Sequence, residues 1–214
     1  TTLFHEFGHA LHGMLANTVY PSLSGTSVAW DFVELPSQIM ENWCYEKEAL
    51  ALFAKHYQTG EIIPMDLIDK IKAASTFQQG MQTLRQLSFG LLDMSWHGID
   101  PTEIRDVKQH ETAAFLETQL FPDVPQNCMS TAFAHIFQGG YSSGYYSYKW
   151  AEVLDADAFE YFKENNLFDP QIATAFKTHI LSKGGTQDPL ELYVKFRGQK
   201  PKSQALLKRS GLLN

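Results

Sequence analysis

The sequence has little cysteine, no basic run and no long apolar stretch. Its two cysteines, Cys44 and Cys128, lie far apart and outside any CxxC spacing. That argues against a zinc-thiolate site or a disulfide scaffold and fits a reducing compartment. We expect a cytoplasmic protein, with the periplasm as the alternative. Lys and Arg number 17 against 24 Asp and Glu, a net charge of −7. No cluster of cations of nucleic-acid type stands out, so no nucleic-acid partner is expected. No apolar stretch nears the ~18 residues that a membrane span needs, so no membrane partner is expected either. Core-forming residues, by contrast, are plentiful. Of 214 residues, 44% are hydrophobic and 13% aromatic, well clear of disordered composition.

Apolar periodicity is helical almost throughout. Leu3, Phe7 and Leu11 share a face from the first residues on, with no capping residue before them, as in a piece of a longer protein. Residues 20–28 are turn-rich, with room for one or two short strands. Helical pattern returns from Asp31 through Trp43 to His56, then over Met65–Ala74, Phe77–Trp96 and Pro101–Leu120. Asp100-Pro101, Asp169-Pro170 and Asp188-Pro189 each read as a cap followed by proline in the first helical position. A loop ends at Gly139-Gly140, and a helix carrying Trp150, Leu154 and Phe159 follows. Without repeat or low-complexity linker, residues 1–214 read as a single, mostly helical unit.

His5-Glu6-x-x-His9 is the strongest local signal. At 100° per residue, positions 5 and 9 lie about 40° apart on one helix face and one turn apart. Their imidazoles can therefore meet one Zn²⁺ at about 2.0–2.1 Å each. Glu6 sits beside that face, placed to take a proton from an activated water instead of binding the metal. His12 is excluded as a third ligand, because seven residues rise about 10.5 Å; it would line the cleft or bond nearby backbone. The acidic stretch Asp31-Phe32-Val33-Glu34-Leu35-Pro36-Ser37-Gln38-Ile39-Met40-Glu41 is the obvious source of a carboxylate ligand. Pro36 requires either a kink there or a helix that starts at Pro36 with Glu34 before it.

Further on, four of the nine tyrosines fall between 141 and 148. Tyr141, Tyr145 and Tyr148 follow i, i+4, i+7 spacing, which would put three phenols on one face of a helix start. Alone, that pattern ordinarily marks packing.

Together these stretches resemble a known family. His5-Glu6-Phe7-Gly8-His9-x-x-His12, Ser24-Gly25-Thr26, Asp31-Phe32-Val33-Glu34-x-Pro36-Ser37-Gln38, Phe133-Ala134-His135-Ile136-Phe137-Gln138-Gly139-Gly140-Tyr141-x-x-Gly144-Tyr145-Tyr146-x-Tyr148, Gly184-Gly185 and Phe196-Arg197-Gly198 are similar to the thimet oligopeptidase and oligopeptidase A family of zinc peptidases. The resemblance runs almost from end to end. One departure is Trp30, which stands where many members carry Arg. The resemblance implies a mainly α, zincin-like (neurolysin-like) catalytic domain with a small β element. The chain would be its C-terminal portion, without the family's N-terminal part.

Residue by residue, the resemblance makes His5, His9 and Glu34 ligands of one Zn²⁺ per chain and Glu6 the general base. Glu41 would orient a ligand His. His135 and Tyr148 would donate to the oxyanion, and Tyr141, Tyr145 and the Gly139-Gly140 hinge would hold the peptide. The expected activity is zinc-dependent hydrolysis of short oligopeptides. One alternative is a peptidyl-dipeptidase releasing C-terminal dipeptides. Another is a zinc-binding fragment, inactive without the missing N-terminal region as its partner.

Overall fold

Aspartate caps open several of the helices, as the sequence suggests. Asp169 accepts the backbone N–H of Gln171 and Ile172 at 2.7 and 3.1 Å, and Asp188 that of Glu191 at 3.1 Å. Each satisfies amides that the first helical turn leaves without partners. The structure, a computed structural model, describes residues 1–103 and 105–213. Its helices are α1 (Thr2–Met14), α2 (Trp30–Val33), α3 (Leu35–Asn42), α4 (Lys47–Phe53), α5 (Met65–Ser75), α6 (Gln79–His97) and α7 (Val107–Phe115). After them come α8 (Ala134–Phe137), α9 (Ser147–Asn165), α10 (Pro170–Phe176), α11 (Pro189–Arg197) and α12 (Gln204–Arg209). Among the described residues, no helix is long and apolar enough to cross a membrane.

Two expectations fail locally. The strand element near residues 20–28 does not form: Pro21–Leu23 is a 3₁₀ turn, and β pairing among the described residues is confined to an isolated bridge, Lys55 with Ile62. Pro21 lacks a donor, and the Leu23 carbonyl accepts from the distant Gly185 N–H at 2.9 Å, which leaves little of a ladder to build. The helix over 101–120 is likewise divided. The Asp100 carboxylate takes the Thr102 N–H and hydroxyl at 2.9 and 2.7 Å and holds a 3₁₀ turn, Pro101–Glu103. Residue 104 lies outside the described residues, and α7 begins at the cap of Asp106, which accepts the Gln109 N–H at 2.7 Å.

By its contacts the chain divides into two compact units. The first joins residues 1–77 to 150–214. Its core brings Phe32, Leu35 and Ile39 of α2 and α3 against Leu154, Phe159 and Phe162 of α9, with Phe176, Leu192 and Phe196 from later elements. Each such side chain contributes about 1.5–3 kcal/mol by leaving water. α1 lies against α3. Gly184, at φ +49°, passes so close to the Leu23 carbonyl that a Cβ would stand 2.0 Å from its oxygen; only glycine fits there. Near the chain's end, Arg209 donates through Nη1 to Asn42 Oδ1 at 2.7 Å and to Asp155 Oδ1, and through Nη2 to Asp155 Oδ2 at 3.2 Å. Asn42 Nδ2 also donates to Asp155 Oδ1, at 2.8 Å.

The second unit, residues 78–149, is built on α6, α7 and α8. Leu92, Phe133 and Ile136 form its buried centre, with Phe89, Trp96 and Tyr145 around them. Buried Glu111 of α7 fastens a loop to it, accepting the Ser130 N–H at 2.6 Å and the Ser130 hydroxyl at 2.7 Å.

Candidate functional site

Gly8 decides how α1 meets α3. A Cβ there would lie 2.3 Å from the Pro36 carbonyl oxygen and 2.6 Å from Ser37 Cα, so the bare glycine lets the two backbones touch. That contact brings the His5–His9 face of α1 onto the start of α3. Glu34 is the residue between α2 and α3, and Pro36 sits in the first turn of α3, where its missing N–H leaves no gap. Of the two arrangements Pro36 permits, the chain adopts the one in which Glu34 precedes the helix. The Ser37 hydroxyl lies 2.9 Å from the Glu34 carbonyl and 2.8 Å from its Oε2, which fixes the side chain as well as the turn.

Three donor atoms converge there. Glu34 Oε2 is 3.4 Å from His5 Nε2 and 3.3 Å from His9 Nε2, and each residue offers an atom within 4.8 Å of the others. Ligands at 2.0–2.1 Å in tetrahedral array stand roughly 3.3–3.4 Å apart. The trio therefore has the chemistry and spacing to hold one zinc ion with a coordination position left open. His5 Nδ1 lies 2.8 Å from Glu41 Oε1, which holds the ring with Nε2 toward Glu34. Glu6, exposed on α1, adds negative potential beside His9.

The electrostatics of the trio suit a cation. Burial opposes ionisation of Glu34, but hydrogen bonds from His9 and Ser37 and the charges of His9 and His5 outweigh it and hold its carboxyl below the ordinary range. Its hydrogen bond to Glu34 draws the His9 pKa upward against burial. His12 behaves otherwise. It is fully buried, neither ring nitrogen has a hydrogen-bond partner among the described residues, and burial, then the neighbouring His9, push its pKa down to about 4. Among the described residues it neither lines a cleft nor bonds backbone: it shares the His5 face of α1 but stands about two turns further along, where that face is fully covered.

The remaining candidate residues belong to the second unit. Gly139 and Gly140 follow α8, where the Gly139 N–H bonds the Ala134 carbonyl at 2.9 Å and the Tyr141 N–H reaches back to that of His135 at 3.2 Å. Residues 142–146 are turns, and α9 starts only at Ser147, so the expected helical face of phenols does not exist. Left-handed Ser143, at φ +55°, interrupts it. The rings gather nonetheless. Tyr141 stacks on Tyr148 at 5.1 Å, Tyr145 meets Tyr148 edge-on at 5.4 Å, and His135 lies 6.0 and 6.1 Å from Tyr141 and Tyr145. Burial raises the Tyr145 pKa, so its phenol stays protonated and able to donate.

Sequence reasoning passed over the roles of Gly8 and Ser37. A glycine inside a strongly periodic helix was the available sign for the first; Ser37 offered none.

Comparison with known proteins supplies the family. Residues 1–212 match the profile of Peptidase family M3. The chain belongs to that family. It is 46% identical over 220 residues to Oligopeptidase A of Escherichia coli (strain K12), covering 99% of this chain and 31% of that protein. It is 44% identical over 218 residues to Probable cytosolic oligopeptidase A of Arabidopsis thaliana, again 99% of this chain and 31% of that protein. Dipeptidyl carboxypeptidase of E. coli (strain K12) is 42% identical over 213 residues, with the same two coverages. This M3 chain thus spans less than a third of the length of these relatives.

Proposed function

We propose that this M3 chain supplies the zinc-binding and proton-transferring part of a zincin-like peptidase of the cytoplasm that cleaves short, unstructured peptides. The observation that carries the reading is the convergence of His5, His9 and Glu34, with Glu34 Oε2 3.4 Å from His5 Nε2 and 3.3 Å from His9 Nε2 and all three residues offering atoms within 4.8 Å of one another. Those three residues would hold the ion, and Glu41 would keep the His5 ring in register through Nδ1. Bound there, zinc would supply Lewis acidity, polarising the scissile carbonyl and lowering the pKa of water. Glu6 takes the proton from the attacking water and delivers it to the amide nitrogen as the peptide bond breaks. The family resemblance assigns His135 and Tyr148 as hydrogen-bond donors to the oxygen that gains charge, and Tyr141, Tyr145, Gly139 and Gly140 to the peptide backbone. A preorganised donor of this kind contributes about 2.7–4 kcal/mol to the transition state.

The test begins with metal analysis of chain purified without chelator, read beside turnover of a quenched fluorescent peptide. One zinc per chain is expected. Glu6→Gln should retain that zinc while turnover falls at least a hundredfold; near-native turnover would remove Glu6 from its role. A second reading, release of C-terminal dipeptides, is favoured by the 42% identity to a dipeptidyl carboxypeptidase. Peptides with a blocked C-terminus separate the two, because a dipeptidase needs the free carboxylate. Stoichiometric zinc without turnover would mark the chain as a metal-binding portion that requires the rest of a longer protein.

A further inference from the structure

Asp93 lies on α6 and is fully buried. An ionised carboxylate in that position is tolerated only when donors saturate it, and here they do. Oδ1 accepts the Ser143 N–H at 2.9 Å and His97 Nδ1–H at 2.7 Å, and Oδ2 accepts the Tyr145 N–H at 2.8 Å. Two of these donors belong to the loop that carries the tyrosine cluster. Between Tyr141 and Tyr145 that loop contains Ser143 at φ +55°, a conformation that costs a residue with a Cβ about 1–2 kcal/mol and persists only when its surroundings impose it. The loop's own bonds, Gly144 N–H to the Tyr141 carbonyl at 2.8 Å and Ser142 hydroxyl to the Ile136 carbonyl at 2.5 Å, close its turn, and beside the Asp93 contacts the Tyr145 hydroxyl reaches Gln86 Oε1 of α6 at a long 3.5 Å. His97, one turn along from Asp93, also lies 3.0 Å from the Asp93 carbonyl, so its ring is fixed on its own helix.

We propose that Asp93 is a positioning residue: its carboxylate, braced by His97, clamps the amides of Ser143 and Tyr145 and so sets the conformation in which Tyr141, Tyr145 and Tyr148 present one cluster to a peptide. The clamp itself stands on the geometry; its bearing on peptide handling rests on the function proposed for that loop. Aspartate suits the task because both oxygens accept. Asparagine would turn a donor toward one of the two amides, and alanine would release both.

Amide exchange read by mass spectrometry, on the whole chain with zinc, compares wild type, Asp93→Asn and Glu111→Gln. Asp93→Asn should speed exchange across residues 141–146 roughly tenfold or more while residues 80–90 of α6 keep their protection. Glu111→Gln, which loosens the same unit at Ser130, should leave 141–146 as in wild type. Peptide turnover adds a second readout. A clamp on the binding loop predicts a KM raised severalfold, whereas simple loss of folded enzyme lowers kcat at constant KM. Unchanged exchange at 141–146 overturns the proposal, as does acceleration spread equally over α6 or reproduced by Glu111→Gln, or an unaltered KM. Absence of turnover in wild type would instead count against the peptidase reading, and the exchange comparison would still decide Asp93.

Discussion

Gly8 shows how much a missing side chain can determine. The spacing of two histidines on α1 is set by the helix, but the distance of both from Glu34 is set by how closely α1 and α3 approach at this glycine. Gly8→Ala should force the backbones apart, lowering stability by about 1–3 kcal/mol and weakening zinc binding on the order of 10–100-fold. Competition with a calibrated chelator measures the second effect. An alanine variant that binds zinc as wild type does would mean that the ligand geometry has another source. At this scale the sequence is unequally legible. His5, Glu6 and His9 are visible because their relation is local and periodic. Glu34 is visible only as a member of an acidic stretch, and the family likeness singles it out. Asp93 is invisible, since a lone aspartate on a helix does not announce partners fifty positions away.

At the scale of elements, hydrogen bonding from caps and loops outweighs apolar periodicity wherever the two disagree. The tyrosine spacing at 141, 145 and 148 looks helical, yet Asp93 and the left-handed Ser143 make a turn of it. Similarly, Asp100 spends its carboxylate on Thr102 and gives a 3₁₀ turn where Asp-Pro suggests a long helix. α7 depends on a comparable tie, and a pH dependence follows from it. Burial raises the Glu111 pKa, but donors from Ser130, Met129 and Cys128 outweigh that and leave it below the ordinary value. The folded state therefore prefers the ionised form. Its contribution is complete above the ordinary glutamate pKa of about 4.3 and is lost as pH falls through that value toward the lower folded one. Glu111→Gln should cost about 1–3 kcal/mol at neutral pH, and the difference in Tm from wild type should shrink steadily below pH 4.3 or so. A difference that stays constant down to about pH 3 would show that the charge of Glu111 is irrelevant.

For the molecule as a whole, the mainly helical class is readable from composition and period, whereas the long-range ties are not. Arg209 illustrates the point: in the sequence it is one more cation near the end, in the structure it neutralises buried Asp155 and engages Asn42. Arg209→Ala leaves that carboxylate and Asn42 without their charged donor. Because the Arg209 side chain is about one-third exposed, the loss should be near 2–3 kcal/mol, below the 3–5 typical of fully buried pairs. Urea titration should show it, and Asp155→Asn in the same chain should restore part of it. A loss under about 0.5 kcal/mol would reduce the contact to a surface ion pair.

The first unit is assembled from the two ends of the chain, with the second inserted between them. On a ribosome, Phe32, Leu35 and Ile39 emerge before Leu154, Phe159 and Phe196, which cover them and are made only after the whole insert. Until then the newborn polypeptide carries a sticky helical strip, and α1 and α3 must wait without their hydrophobic backing. Shelter by a chaperone, or rapid completion of the insert, would decide how many copies reach maturity.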